Sequence, residues 1–330
     1  MTNCIVHIGT HKTGTTTIQD FFSRNRDLLL EQGIDFPEIG RTGKGAQAHR
    51  HFSTYMRDLP QEYPGDFADF EFQVRTWTPE AETVVLSSED FYFGSRANRV
   101  GRLKNLMPTM SRVVLILREP ASHVLSMFRE GARSRLADTL PMFLDTQTAH
   151  LINARKGFAY YRYQQNIDTW AAAAPVEVLT YRPDMDLLPE FFDACGLSVD
   201  FSGLHEVVSQ NLGRSKSDVA LAATQLLNRS FRTGIMPKPR HSKLRRMLVA
   251  IDESTLTEHL RPYTHQITVP TERFLSAFDS QNPGMIDRFG PRPETVSTLE
   301  ISPHLLEEVV NIVKALYAEI AQPVLASDPA

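Results

Sequence analysis

A loop rich in glycine, threonine and lysine stands near the start of the chain, between an apolar run and an amphipathic stretch. It follows Cys4–Ile8 and has the sequence GTHKTGTT from Gly9 to Thr16. A helix that begins here presents unsatisfied backbone N–H groups and the positive end of its dipole, and both favour an anion. Lys12 adds a full positive charge, and the glycines let the backbone approach closely. We therefore predict a phosphate-type anion at this loop; the alternative is a polar turn in which a threonine caps the helix.

The order of residues differs from that of the nucleoside-triphosphate loop, G-x-x-x-x-G-K-[ST]. In that loop the lysine follows the second glycine, and the next hydroxyl residue holds magnesium. Here Lys12 lies two residues before Gly14, and Thr15 occupies the usual position of the lysine. The apolar run 112–117 ends in Arg118 instead of a magnesium-binding aspartate. A magnesium-dependent kinase therefore lacks two parts, and we expect an anion other than ATP with magnesium.

A second basic motif lies in the stretch RVVLILREPASHVLSMF. Arg118 ends its strand-like run, and Ser126 lies on the amphipathic segment that follows. An arginine can bind a phosphate through two parallel hydrogen bonds. Together the two motifs resemble the signatures of the sulfotransferases that use 3′-phosphoadenosine 5′-phosphosulfate (PAPS). The first loop resembles their 5′-phosphosulfate loop, P-K-[ST]-G-T-T. The second motif resembles their 3′-phosphate element, R-x-P with a serine eight residues after the arginine.

The first motif, in the form HKTGTTTIQ, is more similar to the bacterial and carbohydrate-directed branch of that family. His11 stands where the cytosolic enzymes carry proline, and Thr17 stands where they carry tryptophan. The stretch 278–290, FDSQNPGMIDRFG, also resembles a late segment of bacterial members. The resemblance implies a sulfotransferase fold of the P-loop type, a three-layer αβα arrangement around a central parallel sheet.

The resemblance also assigns donor-binding roles. Arg118 and Ser126 would bind the 3′-phosphate of PAPS, and Tyr181 matches a tyrosine near the nucleotide. The stretch NLGRSKSD resembles a loop that closes over the donor, in which Arg214 and Lys216 would reach phosphates; the alternative is an exposed basic turn. The 5′-phosphosulfate would be bound by the first loop, through His11, Lys12, Thr13, Gly14, Thr15, Thr16 and Thr17.

Sulfuryl transfer needs charge stabilisation at the leaving oxygen and a base for a hydroxyl acceptor. Lys12 is the candidate for the first role, and because it and the backbone amides supply the countercharge, no metal is required. Glu89, just after the run Thr83–Ser87, is the preferred base; alternatively it caps the next turn or pairs with an arginine. His49 and His51 are the competing bases, since imidazole titrates near neutrality. The His-x-His spacing could also suggest a metal, but no third ligand is identifiable.

The elements that must position these residues follow an α/β pattern. Apolar, β-branched runs alternate with segments of helical period, which is typical of parallel strands covered on both faces. In such a doubly wound sheet the ligand lies at the carboxyl ends of the strands. The predicted strands are Cys4–Ile8, Thr83–Ser87, Arg112–Leu117 and Val176–Thr180.

We expect a single domain over residues 1–330. Within it, residues 37–66 are a candidate substrate lid, and 302–321 form an amphipathic helix. Residues 233–298 show no period for long, so we expect a partly irregular extension that is either a dimer surface or an acceptor wall. The basic run KPRHSKLRR, 238–246, is either a solvated face or an attractor for an anionic glycan acceptor.

Composition excludes several other classes of protein. The net charge of −4 over 330 residues gives no global reason to expect a nucleic-acid partner. The two cysteines, Cys4 and Cys195, form no CxxC or zinc spacing, which favours a reducing compartment. No signal peptide is recognisable and no apolar stretch approaches the ~20 residues that span a bilayer, so we expect a cytoplasmic protein.

The sequence therefore predicts a PAPS-dependent sulfotransferase that releases 3′-phosphoadenosine 5′-phosphate (PAP). The preferred acceptor is a hydroxyl of a carbohydrate or glycolipid, on family analogy alone. Two alternatives stay open: a phosphotransferase on a variant phosphate loop, and a noncatalytic module that binds a nucleotide.

Overall fold

The computed structural model describes residues 2–41, 47–93, 95–153, 160–205 and 217–325. The contacts within the chain separate it into two compact units. The first unit comprises Met1–Pro120, His150–Ser209 and Ser276–Arg292, and the second comprises Ala121–Ala149, Gln210–Leu275 and Pro293–Ala330. Because each unit is assembled from three segments that alternate along the chain, no single boundary in the sequence marks the division.

The described elements are as follows. The strands are β1 (Asn3–Gly9), β2 (Ile34–Asp35), β3 (Thr83–Ser87), β4 (Met110–Arg118), β5 (Val176–Tyr181), β6 (Thr264–Pro270) and β7 (Thr295–Ile301). The helices are α1 (Thr15–Arg24), α2 (Arg26–Glu31), α3 (Arg50–Arg57), α4 (Phe67–Thr76), α5 (Asp90–Phe93), α6 (Ala97–Leu106), α7 (Pro120–Ser134), α8 (Leu140–Ile152), α9 (Tyr163–Ala171), α10 (Leu187–Cys195), α11 (Asp218–Arg232), α12 (Lys238–Ala250), α13 (Glu253–Leu260), α14 (Glu272–Gln281) and α15 (Leu306–Leu325). Short 3-10 helices lie at Pro60–Glu62, Arg261–Tyr263, Pro283–Phe289 and Pro303–Leu305.

The first unit is built on a parallel five-stranded sheet in the order β2-β3-β1-β4-β5. All four predicted strands are present, and each pairs in parallel with its neighbours. Strand β1 lies between β3 and β4, so its carboxyl end is flanked by the ends of two other strands. The residues that follow these three strands therefore share one edge of the sheet. The α/β class with a central parallel sheet is confirmed.

Both faces of this sheet are covered, which explains why its three central strands are apolar at most positions. On one face Ile5, Val85 and Val114 pack with the aromatic side chains of α1 and α10, among them Phe22 and Phe191. The alternate residues of these strands face the other side of the sheet, and those of β1, β3 and β4 are also buried. Helix α9 contacts β4 and β5. A sheet with helices on its faces is compatible with a three-layer arrangement.

The predicted lid, 37–66, contains a packed helix. Helix α3 buries Phe52, Tyr55 and Met56 in the first unit, and its ring contacts include Phe70 of α4. This part of the segment is therefore part of the core. Residues 42–46 of the predicted lid lie outside the described residues.

The second unit has its own hydrophobic core, formed by α11, α12, α13, α15 and strand β7, which pairs antiparallel with β6. Residues 233–298 are thus more regular than the sequence suggests. Helix α12 buries only His241, Leu244 and Leu248. The many basic residues around these positions obscure the helical period in the sequence. Across the described residues, no helix has both the length and the apolar character that crossing a membrane requires.

Candidate functional site

The loop after β1 has an unusual backbone. Lys12 has a φ of 67° and Gly14 a φ of 80°, both in the left-handed region. For a residue with a Cβ this conformation costs about 1–2 kcal/mol, and such strain concentrates at functional sites. Within the described ranges Asp58 is the only other non-glycine residue with a positive φ. The backbone around Lys12 is therefore held in a costly shape by its surroundings.

Helix α1 begins immediately after this loop without a cap. Its N-cap residue, Gly14, offers no side chain, and its first turn contains no acidic residue. The positive end of the helix dipole is thus not neutralised by the helix itself. A Cβ at Gly14 would collide with the side chain of Leu187, and one at Gly9 would collide with the hydroxyl of Thr15. Both glycines are therefore required for the close packing of the loop.

The threonines of the loop differ in what their hydroxyls do. Thr13 is buried and donates to the carbonyl of Thr10 at 2.5 Å, so its hydroxyl proton holds the loop together. Thr15 Oγ1 is buried, and no partner for it exists in the described part of the chain. Thr16 is exposed, and Thr17 is half-buried. The hydroxyls of Thr15 and Thr16 are better placed than that of Thr13 to serve a ligand.

Arg118 joins this loop to the end of β4. Its guanidinium donates to the backbone carbonyl of Lys12 at 3.2 Å. The guanidinium carbon lies 5.4 Å from the ring centre of Tyr181, which is also the register partner of Arg118 on β5. The hydroxyl of Tyr163 donates to the Arg118 carbonyl at 3.1 Å. Lys12, Arg118 and Tyr181, which the sequence assigns to one site, therefore lie together.

Tyr160 is a contributor that the sequence analysis missed. Its hydroxyl accepts the backbone N–H of His11 at 2.7 Å, and its own carbonyl accepts the hydroxyl of Tyr92 at 2.7 Å. Burial raises the pKa of the Tyr160 hydroxyl, so it stays protonated. Tyr160 is 149 residues from His11 along the chain, and no spacing rule connects the two. The tyrosine-rich composition of 160–163 was the only available signal.

Two carboxylates follow β3 at the same edge of the sheet. Asp90 pairs with Arg50 at 2.9 Å, and its backbone N–H is accepted by Ser88 Oγ at 3.2 Å. Glu89 is half-buried, and within the described residues no cationic side chain pairs with it. The capping and ion-pair roles that the sequence left open for Glu89 are thus filled by Ser88 and Asp90.

Glu89 also acts electrostatically on His11 of the loop. Burial lowers the pKa of the His11 imidazole, and the carboxylates of Glu89 and Asp90 oppose that shift. The His11 ring also lies 5.0 Å from the ring of Phe93 between centroids, and Phe93 is on α5, which begins directly after Glu89. Glu89 therefore belongs to the surroundings of the loop.

Glu89 is hydrogen-bonded to a series of buried polar side chains. The side-chain amide of Gln19, on α1, donates to Glu89 Oε2 at 3.3 Å and to Ser87 Oγ at 3.1 Å. Ser87 Oγ in turn hydrogen-bonds His7 Nδ1 at 2.8 Å. Burial lowers the pKa of His7 to about 3, so its imidazole is neutral. Gln19 was also missed from sequence, where it is one polar residue on an amphipathic helix.

His49, one of the alternative bases, has a structural position. It is fully buried, its Nδ1 accepts the backbone N–H of Ser87 at 3.1 Å, and its Nε2 donates to the carbonyl of Pro37 at 2.9 Å. Burial lowers its pKa to about 3. Both ring nitrogens are occupied by the backbone, so His49 has no lone pair for an acceptor proton. The structure argues against it as a base.

His51, the other alternative, packs among aromatic rings. Its ring lies edge-on to Tyr63 at 4.7 Å and to Phe70 at 6.2 Å between centroids. Burial lowers its pKa. The described contacts of its ring are with α4 and the segment before it, its backbone N–H donates to the carbonyl of Gly40 at 2.9 Å, and no described contact is with the loop after β1.

The remaining predicted donor-binding residues are not brought to the loop by any described contact. Ser126 is half-buried on α7, in the second unit. Arg214 and Lys216 lie outside the described residues. Their assignments stay predictions.

The described residues contain no group of three or more histidine, cysteine, aspartate or glutamate side chains arranged to hold a metal ion. A scan against protein-family models and a search of curated proteins both find no significant match to this chain.

Proposed function

We propose that this chain is a sulfotransferase that transfers the sulfuryl group of PAPS to an acceptor hydroxyl. One observation supports the proposal most directly: the Arg118 guanidinium donates to the carbonyl of Lys12 at 3.2 Å. This bond couples the residue that resembles the family's 3′-phosphate element to the residue that resembles its 5′-phosphosulfate lysine. A donor with phosphates at both ends of one nucleoside matches two coupled cationic groups.

The loop after β1 suits the 5′-phosphosulfate. Backbone N–H groups at the start of α1, the unneutralised helix dipole and the ammonium of Lys12 all favour an anion. The orphaned hydroxyl of Thr15 offers a further donor. In this proposal the first unit is a P-loop-type sulfotransferase fold with a three-layer αβα arrangement, and the site lies at the carboxyl ends of its strands.

Arg118 and Tyr181 suit the nucleotide end of the donor. Arg118 supplies a planar, permanently charged group for the 3′-phosphate. Tyr181 lies beside the guanidinium at 5.4 Å, and its Cε2 lies 3.6 Å from the position that a Cβ on Gly14 would take. The tyrosine thus lies next to both phosphate-binding elements. Ser126 is kept as a proposed second ligand of the 3′-phosphate.

The chemistry divides between two side chains. The donor supplies an activated sulfuryl group whose sulfur–oxygen bond to the phosphate breaks, and a new sulfur–oxygen bond forms to the acceptor. Lys12 stabilises the electron pair that stays on the phosphate oxygen. Glu89 takes the proton that the acceptor hydroxyl loses. Gln19 positions the Glu89 carboxylate through its amide.

The acceptor class follows from family analogy, which favours a hydroxyl of a carbohydrate or glycolipid. A cytoplasmic location also belongs to the proposal. No metal enters this scheme, since Lys12 and the loop amides provide the positive charge that magnesium provides in kinases.

Calorimetric titration of the full chain with PAP, ADP and ATP with magnesium tests the donor assignment. We expect metal-independent binding of PAP, at least about tenfold tighter than ADP, because one charge-assisted contact to the 3′-phosphate is worth about 1.5–3 kcal/mol. A preference for ATP with magnesium would support the phosphotransferase instead. Binding without turnover across an acceptor screen would support the noncatalytic module.

A further inference from the structure

The basic run of the sequence lines one wall of a cavity in the second unit. The cavity has a volume of about 740 Å³, within the range of about 300–1,000 Å³ that is typical of small-molecule sites. Helices α11 and α12 form it together with the chain just after α7. Its lining residues are Arg135, Asn228, Phe231, Arg232, Lys238, His241, Ser242, Arg245, Arg246 and Val249. We call it the cationic cavity.

Five of the lining side chains are cations, in a chain whose net charge is −4. Arg232 is paired with Asp138. In the described part of the second unit, no carboxylate forms an ion pair with any of the other four, which are Arg135, Lys238, Arg245 and Arg246. Arg245 instead donates to the carbonyls of Arg133 and Ser134. The cavity therefore has a strong uncompensated positive charge.

Burial and the positive charge of the cavity together lower the pKa of two groups that line it. Burial lowers the pKa of His241, and the charges of Arg245 and Arg135 lower it further. Burial also lowers the pKa of Arg245, and the charge of Arg135 adds to this shift. Helix α12 begins with Lys238 and has no acidic residue in its first turn, although the dipole favours anions there. The cations thus repel one another and the end of their own helix. An anion in the cavity would relieve both effects.

The cavity also has an apolar side. Phe231 and Val249 are 40% and 67% exposed. The His241 ring stacks on Phe231 with centroids 4.8 Å apart and planes 18° apart, and His241 Nε2 is fixed by Asn228 Oδ1 at 3.0 Å. Phe231 therefore presents an apolar surface beside the cations. Exposed apolar groups of this size carry a cost that a ligand's apolar part would remove.

We propose that the cationic cavity binds an amphiphilic anion, a molecule with one phosphate, sulfate or carboxylate head group and an apolar chain or ring. The head group lies against Lys238 and Arg246, and the apolar part covers Phe231 and Val249. Two adjoining surfaces of opposite character favour this ligand over a simple anion, which would leave the apolar side exposed. They also favour it over a polyanionic glycan, which has no apolar chain. The proposal does not depend on the sulfotransferase assignment.

Titration of the full chain with octyl phosphate, below its micelle concentration, tests the proposal by calorimetry. We expect one molecule bound per chain, at least about tenfold more tightly than inorganic phosphate or octyl glucoside, because each of these probes lacks one half of the ligand. Inorganic phosphate or a sulfated oligosaccharide binding more tightly than octyl phosphate would overturn the proposal. Equal binding of octyl glucoside would also overturn it.

Variants locate the binding. Lys238→Gln combined with Arg246→Gln removes two exposed cations that have no carboxylate partner in the described residues, so the fold should persist. We expect octyl phosphate to bind about tenfold more weakly. Lys243→Gln is the matched control, since it is exposed on the same helix and does not line the cavity. Val249→Ser should weaken octyl phosphate and leave inorganic phosphate unchanged. Wild-type affinity in the double variant would refute the site.

Sedimentation with lipid vesicles separates two sources of the ligand. Binding to phosphatidylglycerol vesicles but not to phosphatidylcholine vesicles, lost in the double variant, identifies the head group of a bilayer lipid. Binding of octyl phosphate without binding to either vesicle identifies a free amphiphile. Equal binding to both vesicle types would mean that the cations play no part, and it would overturn the proposal.

Discussion

The loop after β1 and the cationic cavity both favour anions, and they do so in opposite ways. In the loop the positive potential comes mainly from backbone N–H groups and a helix end, with Lys12 in a costly conformation. In the cavity it comes from long side chains on the regular helix α12. Glu89 lies beside the loop with no cationic partner among the described residues, whereas the carboxylate of Asp138 at the cavity is paired with Arg232. A backbone-built site fixes the position of its ligand, which chemistry requires, whereas a side-chain-built site adapts to its ligand.

The substitution with the largest expected effect is Glu89→Gln, which tests whether the loop is accompanied by a catalytic base. We expect turnover to fall about 100-fold or more, because general-base catalysis is worth about 10²–10⁴, while the affinity for PAP stays within about twofold. The assay is release of PAP from PAPS with an acceptor found by screening. The matched control is Asp90→Asn, in the same turn but already paired with Arg50. If Asp90→Asn costs as much as Glu89→Gln, the assignment of the base is wrong.

The second test is Arg118→Ala. Loss of one charge-assisted contact should weaken PAP by about 2 kcal/mol, or about 30-fold, and leave ADP almost unchanged. Titration of both nucleotides measures the difference, and octyl phosphate should bind as before. Equal weakening of PAP and ADP would mean that Arg118 only supports the loop through the Lys12 carbonyl.

The third test separates backbone shape from packing. Gly14→Ala adds a Cβ at a φ of 80° that would also collide with Leu187. Gly33→Ala has nearly the same φ, 79°, with nothing within 4 Å of the added atom. We expect urea unfolding to show a loss of about 1 kcal/mol for Gly33→Ala and about 2 kcal/mol or more for Gly14→Ala. Equal losses would show that the loop is not closely packed.

The smallest effect belongs to the cavity. Removing the charges of Lys238 and Arg246 together should raise the free energy of unfolding by about 0.5 kcal/mol, since Lys238 lies at the unfavourable end of the α12 dipole. Thermal unfolding of the double variant against Lys243→Gln measures this. The sign is opposite to that expected for Gly14→Ala. A destabilised double variant would imply that these cations have a structural role.

The residues of the loop could be predicted from sequence because their chemistry is local. Gly9, Lys12 and Gly14 lie within six positions, and the apolar run before them marks a buried strand. Arg118 could be predicted because it ends another such run. Parallel strands bring their carboxyl ends to one edge of the sheet. The order of apolar runs and polar residues along the sequence was therefore enough to predict that the two motifs are close.

The rest depends on contacts that no local pattern encodes. Tyr160 accepts a hydrogen bond from a residue 149 positions away, and Gln19 donates to residues 68 and 70 positions away. His49 looks like a base in sequence, and only its burial and its two backbone partners reveal a structural role. The cationic cavity requires α11 to meet α12, and a basic run alone does not distinguish a cavity wall from a solvated face.

The hydrogen bond from the His11 N–H to Tyr160 couples the loop after β1 to a segment 149 positions away along the chain. Whatever orders the loop must also favour the conformation of the segment that begins at Tyr160, and the coupling is reciprocal. A nucleotide at the loop should therefore slow amide hydrogen exchange in 160–163, although none of these residues needs to touch it. Conversely, loosening that segment would weaken nucleotide binding from a distance, which makes Tyr160 a natural point at which the site can be tuned.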